Sequence, residues 1–122
     1  MAIELMHLDS DDDLLCTFRR YLQRCGFSVF STNSPSVCLE RLWWNPPDLL
    51  ILEPVLPDDR GQHVLSACLD EQGFPRVPVI ALSRRSPHYF DRPIEPYHLK
   101  PIPVSALVTS IHSVLTRQFS LP

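Results

Sequence analysis

Short apolar runs alternate with amphipathic stretches along this chain. Ile3-Glu4-Leu5-Met6-His7-Leu8 is mostly apolar and stops at an acidic cluster, which predicts a buried first strand. Asp11 or Asp12 can cap the next segment, where Leu15, Phe18, Leu22 and Cys25 recur at helical spacing until Gly26 offers a left-handed exit. Phe27-Ser28-Val29-Phe30 is a second strand candidate. Ser34-Pro35 then reads as an N-cap with proline in the first helical position, opening a helix to about Trp44. Asn45 can take the left-handed position there, and Pro46-Pro47 forbids continuation. Leu49-Leu50-Ile51-Leu52 is apolar throughout, as in a strand buried on both faces of a parallel sheet. Val64, Leu65, Cys68 and Leu69 predict a helix from about Gly61 to Gln72, and Val79-Ile80-Ala81-Leu82 a second central strand ending at Ser83. A final strand at about Tyr97 to Leu99 leads through Lys100-Pro101 to a last helix, whose apolar face is Val104, Leu107, Val108, Ile111, Val114 and Leu115.

Strands alternating with helices imply a parallel sheet covered on both faces by right-handed crossovers, in one domain of 122 residues. In such a sheet, polar residues just beyond the C-terminal strand ends gather in one crevice. Here they are Asp9, Ser10 and Asp11 after the first strand, Glu53 after the third, Ser83 after the fourth and Lys100 after the fifth. Composition sharpens one of these: ten arginines accompany a single lysine, so Lys100 is not one of a pool of interchangeable surface lysines. Thirteen prolines, about twice the usual share of roughly 5%, crowd between Pro46 and Pro103 and limit helix length there.

A net charge of −3 offers no basic surface for phosphate backbones, and no apolar run approaches the roughly 20 residues that span a bilayer, so neither nucleic acid nor membrane is an expected partner. The N-terminus lacks the pattern of a secretory signal, and a cytoplasmic location is the expectation. Cys16, Cys25, Cys38 and Cys68 match no metal or redox spacing and read as reduced, buried helical thiols. With only three glycines there is no phosphate-cradling loop, and no nucleophile elbow appears.

Six pieces occur in order: Leu-Asp-Ser-Asp-Asp-Asp-Leu from Leu8, Cys25-Gly26-Phe27, Pro-Asp-Leu-Leu-Ile-Leu-Glu ending at Glu53, Leu-Pro-Asp-Asp-Arg-Gly ending at Gly61, Pro-Val-Ile-Ala-Leu-Ser ending at Ser83, and Leu99-Lys100-Pro101. Together they resemble the CheY-like receiver domain of two-component response regulators over nearly the whole chain. The resemblance implies a flavodoxin-like α/β fold, with five parallel strands in the order 2-1-3-4-5, helices on both faces and a single receiver-like domain spanning 1–122. In that family an aspartate ending strand three accepts a phosphoryl group, two acidic residues after strand one hold Mg2+, a Ser or Thr ends strand four, and a lysine-proline pair follows strand five. The cation neutralises crowded oxygens during transfer, and the lysine adds a second positive charge.

Carried over residue by residue, the match fails at the centre. The phosphoacceptor position is Glu53, and the acidic pair falls on Asp9 and Ser10, so the second metal ligand is lost unless Asp11 reaches in. Ser83, Lys100 and the switch aromatic Tyr97 match. Glutamate's extra methylene moves the carboxylate by over ~1 Å, in a reaction where about that misplacement can cost roughly 100-fold. The expectation is a pseudo-receiver, neither enzyme nor phosphorelay switch, acting by phosphorylation-independent contact with a signalling protein and with a homodimer left open. Glu53 either pairs with Lys100 or fills the vacated metal site. No cofactor is expected, beyond weak Mg2+ held by Asp9 and Glu53 if at all. The alternative is a phosphorylatable receiver that uses the residual acidic residues and Mg2+ in a two-component phosphorelay.

Other features carry two readings. Asp9, Asp11, Asp12 and Asp13 also serve as helix N-terminal charges. Trp43 and Trp44 point about 100° apart on a helix, so one is expected in the core and the other at an interface. The five histidines show no metal spacing and read as packing or surface residues. Between Arg84 and Pro96 three prolines leave room for one or two helical turns, so the family's fourth helix is expected shortened or missing. Arg85, Tyr89, Phe90 and Arg92 in that stretch, with Tyr97, are the expected interface residues, and a merely solvated loop is the alternative.

Overall fold

The run Leu49–Leu52 is buried at every position, and a strand without a solvent face belongs in the middle of a sheet. It is strand β3 of a computed structural model that describes residues 2–57, 60–69, 77–90 and 94–119. Around it are β1 (Glu4–Leu8), β2 (Ser28–Thr32), β4 (Val79–Ser83) and β5 (Tyr97–Leu99), all parallel, in the order β2-β1-β3-β4-β5. The helices are α1 (Asp12–Arg24), α2 (Pro35–Trp44), α3 (Arg60–Leu69) and α4 (Val104–Phe119). This is the flavodoxin-like arrangement expected. Between β4 and β5 the described residues form one 3-10 turn, Pro87–Tyr89, in place of a full helix. No helix among the described residues is long and apolar enough to cross a membrane.

Alternation along the strands splits the core into two layers. Leu5, Leu49, Ile51, Ile80 and Leu82 meet Phe18 and Leu22 of α1 and Leu107 and Ile111 of α4. Met6, Leu8, Leu50, Leu52 and Ala81 face Cys38 and Leu42 of α2 and Val64 and Leu65 of α3.

Local chemistry sets the helix ends. Asp11 caps α1, its carboxylate accepting the Leu14 N–H at 3.1 Å. At the other end Gly26, at φ +97, lets the Gly26 and Phe27 N–H groups reach back to Gln23 O (3.0 Å) and Leu22 O (3.2 Å), a paired C-terminal closure that L-residues strain to adopt. Ser34 caps α2 through Val37 N–H, with Pro35 in its first turn.

Four expectations need correction or limits. Asn45 is at φ −152, not left-handed, because Pro46 after it pushes the preceding residue toward extended backbone. Both tryptophans are exposed, Trp43 at 45% and Trp44 at 77%. Cys38 and Leu42 already define the inner face of α2, and the next two positions turn about 100° and 200° away from Leu42. Of the cysteines, which are all free, Cys38 and Cys68 are buried, with thiols that burial pushes up to about 12; Cys16 is half-buried and Cys25 is exposed at the helix end. The expected extension of α3 past Leu69 to Gln72 lies outside the described residues.

Candidate functional site

Three of the crevice residues are each placed by one backbone hydrogen bond beyond the regular ladder. Glu53 N–H donates to Leu8 O at 2.9 Å, Asp9 N–H to Thr32 O at 3.3 Å, and Lys100 N–H to Ser83 O at 2.8 Å. The side chains thus leave adjacent strand ends side by side, in a cleft of about 260 Å3 lined by Asp9, Ser10, Asp11, Glu53, Val55, Ser83, Arg84, Arg85 and Lys100. The Lys100–Pro101 peptide is cis.

At the centre, Lys100 Nζ donates to Asp9 Oδ2 at 2.6 Å and to Glu53 Oε1 at 3.1 Å. All three side chains are withdrawn from water, at 4%, 1% and 8% exposure for Lys100, Asp9 and Glu53. A buried charge needs partners, and here one cation serves two anions. The remaining carboxylate oxygens are also engaged: Asp9 Oδ1 accepts the Asp11 N–H at 3.0 Å, and Glu53 Oε2 accepts the Val55 N–H at 3.2 Å. The Glu53 side chain therefore folds onto its own loop and the lysine together.

This geometry bears on the metal that the family resemblance implies. Mg2+ demands near-octahedral oxygen coordination and commonly uses one or two carboxylates with waters. Ser10 is exposed and brings no charge. Asp11 lines the cleft, but its Oδ1 is occupied in capping α1. Among the described residues no group of three or more His, Cys, Asp or Glu side chains is arranged to hold a metal ion. A divalent ion on Asp9 and Glu53 would sit beside the Lys100 ammonium, with Ser10 in place of a second carboxylate, so this donor set is a poor fit for a resident Mg2+.

Ser83 is buried, and its Oγ accepts the Arg85 N–H at 3.1 Å. The Tyr97 hydroxyl donates to the carbonyl of the same Arg85. Burial pushes the Tyr97 phenol upward; a hydrogen bond with Ser83 opposes that, and the negative Glu53 adds to it. Serine and tyrosine thus hold both backbone polar groups of one residue, Arg85, at the rim. Outward from Tyr97, Phe90 lies with its ring centroid 5.9 Å away, Tyr89 packs edge-on to Phe90 at 5.2 Å, and the Arg85 guanidinium sits 5.1 Å from the Tyr89 ring. Arg92 lies outside the described residues.

Two contacts escape the motif reading, although Asp9 and Gly61 themselves stand in the quoted motifs. Asp9 is the nearer partner of Lys100, a matter of side-chain direction that no spacing announces. Gly61, the second residue of α3, stands directly against the loop after Glu53: a Cβ there would stand 2.3 Å from the Pro54 carbonyl oxygen and 3.2 Å from that of Glu53. One of three glycines placed at a helix start was the available signal. Beneath the crevice, His7 is fully buried, neither ring nitrogen has a hydrogen-bond partner among the described residues, and the ring stacks 5.9 Å from Phe18. Burial pushes its imidazole down to about 4; Asp9 opposes that shift and Lys100 adds to it.

Comparison with known proteins agrees with this architecture. No protein-family model matches the chain. It is similar to the regulatory protein VanRB of Enterococcus faecalis, 24% identical over 123 residues covering 99% of this chain and 56% of the relative, so it spans little more than half of that curated relative's length. Among solved structures it resembles a CheY-like response regulator receiver domain from Methanospirillum hungatei, with a TM-score of 0.85 at 18% identity over 97% of both chains. A two-component response regulator from Clostridium difficile superposes with a TM-score of 0.80 at 19% identity, over 97% of this chain and 99% of that one. The chain therefore has the CheY-like receiver fold, and its sequence likeness to a regulatory protein runs through almost its whole length.

Proposed function

We propose that this chain is a receiver-type signalling module that does not take a phosphoryl group on Glu53 and works through constant protein–protein contact rather than catalysis. The observation that carries this reading is the closed charge arrangement of the crevice: every oxygen of Asp9 and Glu53 accepts a hydrogen bond, two of them from Lys100. A carboxylate that is to attack phosphorus needs a free lone pair in line with the leaving group and a cation on the transferred oxygens. One lone pair on each Glu53 oxygen is engaged, by Val55 and by Lys100, the carboxylate is withdrawn from water, and Ser10 stands where the family has its second acidic ligand. The Lys100 ammonium occupies the place of neutralising charge permanently, which makes Mg2+ a weak visitor rather than a cofactor.

Output then depends on a surface presented at all times. The segment from Arg84 to Pro96, with β5 and α4, is the docking face in this reading, since it departs furthest from the family pattern and displays Arg85 and Tyr89. Backbone amide NMR with Mg2+ and then beryllofluoride tests the proposal. The expected result is no saturating shift at Glu53, Ser83 or Lys100 below about a millimolar Mg2+, a rough threshold for a weak all-oxygen site, and no second set of peaks with beryllofluoride. A new slow-exchange state at Ser83 and Tyr97 would favour the phosphorylatable alternative.

A further inference from the structure

The two edges of the sheet differ. β5 is three residues long and flanked by Pro96 and Pro101, which carry no N–H to pair. At the far edge β2 runs five residues, Ser28–Thr32, with no charge and no proline among them. Alternate residues of a parallel strand bond to one neighbour. The Ser28 N–H donates to Ile3 O at 2.9 Å and Thr32 O accepts the Asp9 N–H at 3.3 Å, so Ser28, Phe30 and Thr32 turn their backbone groups to β1. Those of Val29 and Ser31 point out of the sheet, and no described residue pairs with them. Polar side chains flank this edge on both faces. On the α1 side a cleft of about 380 Å3 lies between Cys16 and Arg19 on one wall and Ser31 and Thr32 on the other. The Arg19 guanidinium meets only the Cys16 Sγ, at 4.0 Å, and Ser31 Oγ is buried with no hydrogen-bond partner among the described residues. Asp12, at one end of the cleft, is held by Asn33 Nδ2 at 3.0 Å. On the α2 side Val37, Arg41 and Trp44 recur at helical spacing. The Arg41 guanidinium lies 4.3 Å from the Phe30 ring centroid, its buried Nε without a partner among the described residues, and Trp44 is exposed beyond it.

We propose that the β2 edge docks an extended segment of a partner protein, which adds as a sixth strand and carries two consecutive acidic residues, one reaching Arg19 and the other Arg41. This surface lies across the sheet from β5, and its occupancy does not depend on the state of Glu53. Three features select the occupant. The outward N–H and C=O groups of Val29 and Ser31 match an extended chain, whereas a helix has spent its own backbone groups internally. Consecutive residues of a strand point to opposite faces, so adjacent carboxylates would reach one arginine on each side, and neither arginine has a carboxylate partner among the described residues. A second copy paired through the same edge about a two-fold axis would bring Phe30 to Phe30, and with it each Arg41 toward its own kind.

The probe is a short synthetic peptide, Thr-Val-Thr-Glu-Glu-Thr-Val-Thr, added to the whole chain and followed by amide NMR and hydrogen exchange. Shifts should concentrate on β2, with slowed exchange of the Val29 and Ser31 amides, and the peptide should bind at least about tenfold tighter than its Lys-Lys counterpart. Methylating alternate backbone nitrogens of the peptide should abolish binding for one set, the set facing β2, and spare it for the other. Arg19→Glu with Arg41→Glu should reverse the preference toward Lys-Lys, with melting curves to check the fold; the methylated peptides keep the test decisive if that variant unfolds. Equal affinity of the acidic and basic peptides, binding indifferent to both methylation sets, shifts away from β2, or no binding up to about a millimolar would overturn the proposal. So would a concentration-dependent dimer of the chain alone with the Val29 and Ser31 amides protected, which would assign the edge to a second copy. Each of these results leaves the reading of Glu53 standing.

Discussion

Lys100 Nζ lies 2.6 Å from Asp9 Oδ2, closer than to Glu53 Oε1 at 3.1 Å, so the lysine binds the ends of β1, β3 and β5 into one charge cluster. Removing it leaves two buried carboxylates without a cation. Lys100→Met should therefore destabilise the fold by about 3 to 5 kcal/mol at pH 7, the usual cost of stripping one partner from a buried pair. Urea unfolding checks this in the parent and in an Asp9→Asn, Glu53→Gln background: removing the carboxylate charges should shrink the deficit. An equal deficit in both backgrounds would mean that lost packing, not charge, dominates.

Glu53→Asp alone should not restore phosphotransfer, because Ser10 still withholds the second anionic ligand that the cation needs. Ser10→Asp with Glu53→Asp should gain a hydroxylamine-sensitive acyl phosphate from acetyl phosphate, with acetate released. Comparable labelling of the single variant would show that the metal position has been misplaced.

His7 gives a signed pH dependence. Its folded-state value of about 4 lies below the ordinary 6.5, so the unfolded chain binds a proton at a pH where the folded chain does not. Its contribution is fully present above pH 6.5 and is lost as pH falls toward 4, by about 3 kcal/mol in all. His7→Leu should flatten the stability profile across that window, as read from denaturant midpoints at half-unit pH steps. A variant as steep as the parent there would assign the acid sensitivity to other groups.

Tyr89 and Phe90 should behave differently. Tyr89 is 55% exposed, so Tyr89→Ala should change stability by less than about 0.5 kcal/mol, whereas Phe90 packs against the core cluster and Phe90→Ala should cost more, within about 1 to 3 kcal/mol. Thermal melts of the two single variants separate these roles. Equal losses would place both rings in the core.

The ends of β1, β3 and β4 were legible because four- and five-residue, mostly apolar runs stop at polar residues, which fixes where Asp9, Glu53 and Ser83 are delivered; three-residue β5 was marked instead by the Lys100-Pro101 pair after it. Proline spacing likewise announced a shortened or missing crossover helix, seen as one 3-10 turn among the described residues. What could not be read depends on side-chain direction and on contacts between distant segments. Lys100 has two acidic neighbours at similar range, and only the packed structure ranks them. The Gly61 contact with Pro54 joins a helix start to a loop, which no periodicity encodes. The tryptophan pair was misjudged because angular separation was considered without the inner face that Cys38 and Leu42 already define.

The central claim is that Glu53 does not accept a phosphoryl group, and intact-mass spectrometry of the chain after incubation with acetyl phosphate and Mg2+ tests it most directly. The expected spectrum is that of the unmodified protein at every time point, with Ser10→Asp, Glu53→Asp in parallel as the positive control. A hydroxylamine-sensitive adduct of one phosphoryl group on the parent chain, lost in Glu53→Gln, would contradict the account.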